Sequence, residues 1–148
     1  MLIFTQILPP DASGVSHYNL ALTADDRTRS RHRFTTEEGE TVSLNLPRGT
    51  ILQHGDRLAS ETGETVLLIT AKPEPILTVT AHHPLDLLRA AYHLGNRHVS
   101  LEINPDYLRL SPDSVLKSML QQMELQVIEE IAPFFPETGA YHHHHNHE

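Results

Sequence analysis

The sequence predicts an α+β protein: a small N-terminal all-β domain, a C-terminal βαββαβ domain and a disordered, His-rich tail. Three observations predict it. Short strands of period two, spaced by Gly and Pro, fill the first half. Two helical stripes interrupt strands in the second half. Periodicity then ends at Ile131, and five histidines crowd the last seven positions.

Leu2–Leu8 reads as the first strand, stopped by Pro9-Pro10 and the turn residues Asp11 to Gly14. His17–Thr23 alternates Tyr18, Leu20 and Leu22 with polar neighbours, and Thr41–Leu46 alternates Val42, Leu44 and Leu46. Pro47-Arg48-Gly49 turns the chain, Ile51-Leu52 follows, and His54-Gly55-Asp56 turns it again. Val66–Ala71 is an apolar strand, and the set suggests a small barrel or sandwich. Arg27, Arg29, Arg31 and Arg33 alternate, so on one strand they would share a face. Such a row fits a solvated edge strand that avoids aggregation by charge, or a surface for an acidic partner or a phosphate backbone.

Lys72-Pro73-Glu74-Pro75 separates two halves of unequal charge. Residues 1–72 hold nine acids against seven bases, whereas residues 73–148 hold ten against four. Prolines restrict their predecessors to extended geometry and cannot donate to a ladder, so 73–75 reads as a linker. The expected organisation is an N-terminal β domain at 1–72, a second domain at 76–132 and a flexible segment at 133–148.

Within the second domain, Ile76–Ala81 is a strand. His82–Leu94 is a helix carrying Leu85, Leu88, Ala91 and Tyr92, with Pro84 in its first turn and Gly95-Asn96 as its stop. Val99, Leu101 and Ile103 alternate as a strand opened by His98, and Tyr107–Leu110 is a short strand. Ser111 is the candidate N-cap of a second helix with the stripe Val115, Leu116, Met119, Leu120 and Met123. Leu125, Val127 and Ile131 make the last strand. The order β-α-β-β-α-β is that of the ferredoxin-like motif.

Composition excludes several functions. No apolar run is long enough for a membrane-spanning helix, and the first residues lack the basic start of an export signal, which favours the cytoplasm. Without cysteine there are no disulfides, thiolate metal sites or thiol nucleophiles. A net charge of −8 and 5% aromatics argue against a nucleic-acid partner. No catalytic motif of the H-E-x-x-H, G-x-S-x-G or phosphate-loop kind is present.

Histidine is the outlier, with 12 of 148 residues. His142, His143, His144, His145 and His147 form the tail run. Neutral imidazole suits nickel, copper and zinc, and adjacent histidines on a polar chain can wrap an ion. A purification tag would leave a similar run, but this one is four long, is broken by Asn146 and ends in Glu148. His98 is the second candidate. One imidazole is far short of the roughly four to six ligands a transition metal wants, so a role for it requires a two-fold mate or the tail, and hence a homodimer. His82-His83 with Asp86 resembles a ligand spacing but fits solvated loop residues better. His93 reads as a packing or capping residue, and His17, His32 and His54 have no evident partner.

Ala90-Ala91-Tyr92-His93-Leu94-Gly95-Asn96-Arg97-His98-Val99 closely resembles the signature of the UreE family, the nickel metallochaperones of urease maturation. Pro133-Phe134, Pro136-Glu137 and Gly139-Ala140-Tyr141 are similar to that family's closing segment, and Leu46-Pro47-Arg48-Gly49 and Gly55-Asp56 to its N-terminal domain. The resemblance implies a homodimer with a partner- or peptide-binding N-terminal domain and a ferredoxin-like metal-binding domain. It implies Ni(II) as cargo, with Zn(II) or Cu(II) as further ions that bind imidazole in vitro, delivered to apo-urease together with an accessory GTPase. It implies His98 as the dimer-interface ligand and the tail histidines as the recruiting segment. The family's additional histidines before the second helix are missing from Leu110 to Ser114. Because ligands must be deprotonated, binding should weaken below about pH 6. Two other readings compete: nickel or zinc storage without delivery, and an RNA-binding module. The second would need exposed aromatics on the central strands, where only Tyr107 stands.

Overall fold

The computed structural model describes residues 1–10 and 14–139. The chain divides into two compact units, Met1–Lys72 and Pro73–Glu148. The His142–His147 run lies outside the described residues.

The first unit is a six-stranded sheet. Its strands are β1 (Leu2–Ile7), β2 (Tyr18–Leu22), β3 (Arg31–Thr35), β4 (Thr41–Asn45), β5 (Arg57–Ser60) and β6 (Val66–Ala71), in the order β2-β6-β5-β1-β4-β3. Strand pairs β1/β4 and β2/β6 are parallel and the others antiparallel. Alternation sets the core: Val42 and Leu44 point inward from β4 while Thr41 and Asn45 face water. Phe4, Leu20, Leu22, Leu58, Leu67 and Ile69 join it, with Leu46 and Leu52 contributed from outside the strands. The turn expected at His54-Gly55 is present, with Gly55 at φ +93°, a conformation that only glycine adopts without strain.

The arginine row does not form. Arg27 lies in a 3-10 turn (Asp26–Thr28), is buried, and donates from Nη1 to the Leu22 carbonyl at 2.9 Å. Arg29 pairs with Asp25 at 3.3 Å and Asp26 at 3.5 Å. Only Arg31 and Arg33 share a strand, the exposed edge strand β3. Local acid-base pairing in Asp25-Asp26-Arg27-Thr28-Arg29 favours the turn over continued extension.

The turn between β3 and β4 is stitched to β2. The Asn19 backbone N–H donates to Glu38 Oε1 at 3.0 Å, and its Nδ2 donates to Oε2 at 2.9 Å. These donors, the backbone one foremost, hold the Glu38 carboxyl below the usual carboxylate range.

The second unit runs β7 (Glu74–Thr80), α1 (Pro84–Asn96), β8 (Glu102–Ile103), β9 (Leu108–Leu110), α2 (Ser114–Gln122) and β10 (Gln126–Ala132). Its sheet order is β10-β7-β9-β8, with every neighbouring pair antiparallel. Residues 74 and 75 are not a free linker: Glu74 and Pro75 open β7, opposite Ala132 and Ile131 of β10. Leu77, Val79, Leu108 and Leu110 of the sheet pack with Leu94 of α1 and Leu120 of α2.

Helix α1 is apolar on two sides. Its core face is Leu87, Ala90 and Leu94, at i, i+3 and i+7. The stripe read from the sequence divides: Ala91 packs on the core, whereas Leu85 is exposed, Leu88 is 67% exposed and Tyr92 68%. Both stripes have helical spacing, so sequence periodicity could not rank them. In α2, Leu120 is buried and Leu116, Met119 and Met123 pack on the core, while Val115 is exposed. Its N-cap is Asp113 rather than Ser111. The Asp113 carboxylate accepts from the Val115 and Leu116 amides at 2.9 and 3.0 Å.

The segment after β10 departs from the expectation of a free chain. Phe134 is buried, at 2% exposed, and the Glu137 amide donates to the Leu101 carbonyl at 2.8 Å.

Two outcomes follow. Asp113→Ala should lower the stability of the second unit by about 1 kcal/mol in chemical denaturation, and Ser111→Ala by no more than a few tenths. Glu38 should titrate below the ordinary glutamate range in a carboxyl NMR titration. Its folded-state value is depressed, so its stabilisation is complete above the unfolded-state value and is lost as pH falls through the folded one. Thermal melts should show the advantage of wild type over Glu38→Gln disappearing in that acid window.

Candidate metal centre

Both helices of the second unit end in the same way. At the end of α1, the Val99 amide donates to the Leu94 carbonyl at 3.1 Å and the His98 amide to Gly95 at 3.0 Å. At the end of α2, Leu125 donates to Leu120 at 3.1 Å and Glu124 to Gln121 at 3.0 Å. These are paired Schellman motifs, in which the residue just past the helix must be left-handed. That residue is His98 at φ +59° in the first case and Glu124 at φ +64° in the second. The apolar residues at the motif's contact positions all join the core: Leu94, Leu120 and Leu125 are buried in it and Val99 packs against it.

The helix stop is therefore His98, not Gly95-Asn96, which remain helical. Nor does His98 open a strand. Strand β8 begins only at Glu102, so its side chain is aimed by the left-handed turn and not by strand alternation. A side chain with a Cβ costs about 1 kcal/mol in this conformation. The imidazole is exposed and makes no side-chain hydrogen bond or ion pair among the described residues. It stands at the negative end of the α1 dipole, a location that favours a cation.

The other histidines separate by what their nitrogens do. His17 Nδ1 accepts from the Val66 amide and His54 Nδ1 from the Ala71 amide, each at 3.0 Å, so both fasten backbone in the first unit. Sequence spacing gave no sign of either bond, since the partners are 49 and 17 residues away. His32 packs edge-on to Phe34 at 4.8 Å between centroids, and His93 against Tyr92 at 5.2 Å. His83 occupies the N-cap of α1 without capping it by its side chain, and Asp86 pairs with Arg89 at 3.7 Å. Among the described residues no three His, Asp or Glu side chains gather as a ligand set. His98 thus stands as one imidazole per chain.

The outer stripe of α1 leads toward His98. Leu88 and Ala91 line a shallow groove with Ile103 and Pro105, and Ile103 is itself exposed. The second unit thus carries an exposed imidazole at the strained end of the same helix that presents an exposed apolar stripe.

Comparison with known proteins gives the particular family. The family models for the N-terminal and C-terminal domains of the UreE urease accessory protein match residues 4–71 and 74–148. Relatives carrying the name urease accessory protein UreE agree along the whole length. The one from Nostoc punctiforme is 60% identical over 99% of this chain and 100% of its own. That from Microcystis aeruginosa is 57% identical over 99% and 96%, and that from Thermosynechococcus vestitus 54% over 97% and 100%. The chain belongs to the UreE urease accessory protein family. Membership implies a role in urease maturation, as an accessory protein and not as an enzyme.

Replacing His98 by Gly should raise the denaturation midpoint of the second unit, by about 0.5–1 kcal/mol of stability, because glycine removes the left-handed penalty. His98→Ala keeps that penalty and should bring no gain. Equal stability of the glycine variant and wild type would contradict the strained placement.

Proposed function

We propose that this protein is a nickel metallochaperone, which binds Ni(II) as a homodimer and delivers it to apo-urease together with an accessory GTPase. One observation carries the reading. The chain carries histidine at a backbone position where glycine is favoured, and leaves it exposed and without a side-chain hydrogen bond or ion pair among the described residues. Glycine would serve a purely structural role at lower backbone cost, and the exposed imidazole at this position is the feature to which we assign the function.

The remaining features support a dimer. One imidazole per chain is too few for a transition metal, and a two-fold axis doubles it. The outer stripe of Leu85, Leu88 and Tyr92, with Ile103, is the apolar surface such an axis would cover. The second unit, with its βαββαβ order and antiparallel β10-β7-β9-β8 sheet, is assigned a ferredoxin-like fold and the metal-binding role. The first unit is assigned the partner- or peptide-binding role. His142, His143, His144, His145 and His147 are assigned to metal recruitment, completing the shell around the His98 pair. Zn(II) and Cu(II) are expected to compete in vitro, since imidazole binds copper at least as well as nickel. No helix among the described residues is long and apolar enough to cross a membrane; the proposed setting is the cytoplasm.

Nickel calorimetry on wild type, His98→Ala and a chain ending at Tyr141 tests this. His98→Ala should abolish the tightest site. Truncation should lower the number of ions bound per dimer while retaining that site in weakened form. Carriage is separated from storage by activating apo-urease at limiting nickel with the GTPase present, where a carrier accelerates activation and a store does not. Tight binding unaffected by His98→Ala would refute the assignment.

A further inference from the structure

His98 heads the loop of residues 98–101 that joins α1 to β8. Its upstream end is fixed by the His98 and Val99 amides, bonded to α1 carbonyls at 3.0 and 3.1 Å. Its downstream end gets little from the sheet. Strand β8 is two residues long and lies at an edge, paired with β9 through Glu102–Arg109 and Ile103–Leu108. A short edge strand opens locally at low free-energy cost, and opening at Leu101 and Glu102 loosens the loop that carries the imidazole.

The segment after β10 supplies the restraint. Strand β10 is one edge of the sheet and β8 the other, and residues 133–137 form a strap from the first to the second. Phe134 is buried on the way. The Phe135 amide donates to Glu102 Oε1 at 2.9 Å, and the Glu137 amide to the Leu101 carbonyl at 2.8 Å. Glu102 is itself held. It is 5% exposed, and Asn104 Nδ2 donates to its Oε2 at 2.9 Å. On the sheet face away from the helices, the Arg109 guanidinium lies 4.0 Å from Glu102 and 3.4 Å from Glu130 of β10. Arg109 Nε donates to Thr78 Oγ1 at 3.2 Å, and Thr78 donates to Glu130 Oε2 at 2.6 Å. A buried carboxylate fixed at both oxygens makes a strong, directional bond to an amide.

We infer that Glu102 is a positioning residue for His98: through the strap it clamps the downstream end of the loop and so fixes where the imidazole stands. The inference deepens the proposed metal function and rests on it. The left-handed turn sets the direction of the His98 side chain, and the clamp sets the place of the backbone that bears it. Two-fold symmetry repeats any displacement of one chain's loop in the other, so a ligand pair shared across the axis demands a rigid mount. Outer residues that orient a metal ligand contribute roughly 10- to 100-fold in affinity. The clamp acts through backbone alone, which puts it at the lower end, about tenfold.

The sparest test removes one hydrogen bond. Glu137 is exposed, so Glu137→Pro deletes the amide that the Leu101 carbonyl accepts without altering a buried side chain. Glu137→Ala keeps that amide and is the control. Both are made in the full chain, alone and together with His98→Ala, beside Glu102→Ala. The tightest nickel site is read by competition with a chelator, and amide hydrogen exchange of Val99 is followed without metal. Glu137→Pro and Glu102→Ala should speed Val99 exchange and weaken that site about tenfold, with Glu137→Ala unchanged. The nickel binding left in His98→Ala should not respond to Glu137→Pro. Unchanged Val99 exchange in either variant, an unweakened site in a variant whose loop has opened, or an equal loss in the His98→Ala background overturns the clamp. Should Glu102→Ala fail to fold, Glu137→Pro decides alone. Tight nickel binding that survives His98→Ala refutes the metal reading instead, and the inference falls with it whatever the amides do.

Discussion

The organisation of the second unit depends on a left-handed residue at the end of each helix. A Schellman motif needs its residue beyond the helix at positive φ, so that two following amides can turn back onto the last carbonyls. At His98 and Glu124 the bonds and the core packing of Leu94, Val99, Leu120 and Leu125 are worth more than the left-handed penalty. The chain is thereby committed to leave each helix sharply and return to the sheet. At α1 the turn also presents the His98 side chain at a fixed place on the surface. Fold and proposed site share one backbone constraint, and on that proposal the ligand's backbone has little freedom to lose on binding.

The same unit shows how different chemistry divides the two faces of one sheet. The helix-facing side is aliphatic, and its order comes from packing. The other face carries the Glu130–Thr78–Arg109–Glu102 row, in which a single guanidinium lies between two carboxylates. A buried charge is tolerable only when its hydrogen-bonding capacity is met. Glu102 meets that condition partly through the Phe135 amide, which belongs not to the sheet but to residues 133–137, the strap that follows β10. The strap is thus part of the solution to burying a carboxylate, which explains why a proline-containing segment without periodicity is ordered at all.

Most of the strands and both helices were legible in the sequence because their apolar residues recur with the right period. Val66–Ala71 coincides with β6, and β4 and β10 agree within a residue or two at their ends. Failures arose where a non-local or competing interaction decides. β5 carries no alternation, since Leu58, Ala59 and Ser60 are all buried. The row of alternating arginines breaks because aspartates three and four residues away capture Arg29. Asp113 displaces Ser111 as cap by offering one carboxylate oxygen to two amides. His98 was identified through the ten residues around it, yet its conformation was not, because Gly95-Asn96 offered an obvious local stop that the tertiary contact of Val99 overrides. Phe134 was missed because a single aromatic has no period.

The outward stripe of α1 is the feature that sequence and structure explain only together. Sequence shows two apolar stripes on one helix, and structure shows that the unit's own core uses only Leu87, Ala90 and Leu94. Leu88 and Tyr92 remain in water at an energetic disadvantage unless something covers them. On the proposed reading the cover is a second copy, and the helix that supplies the interface also ends in the metal ligand. Dimerisation and metal binding are then linked by mass action: an ion held by both copies stabilises the pair, and the pair supplies the second imidazole. On this reading two imidazoles alone do not fill a transition-metal shell, and the tail imidazoles assigned to complete it can be exchanged for incoming ligands. Such a site suits a carrier, since the ion can pass from one set of imidazoles to the next without ever being released bare.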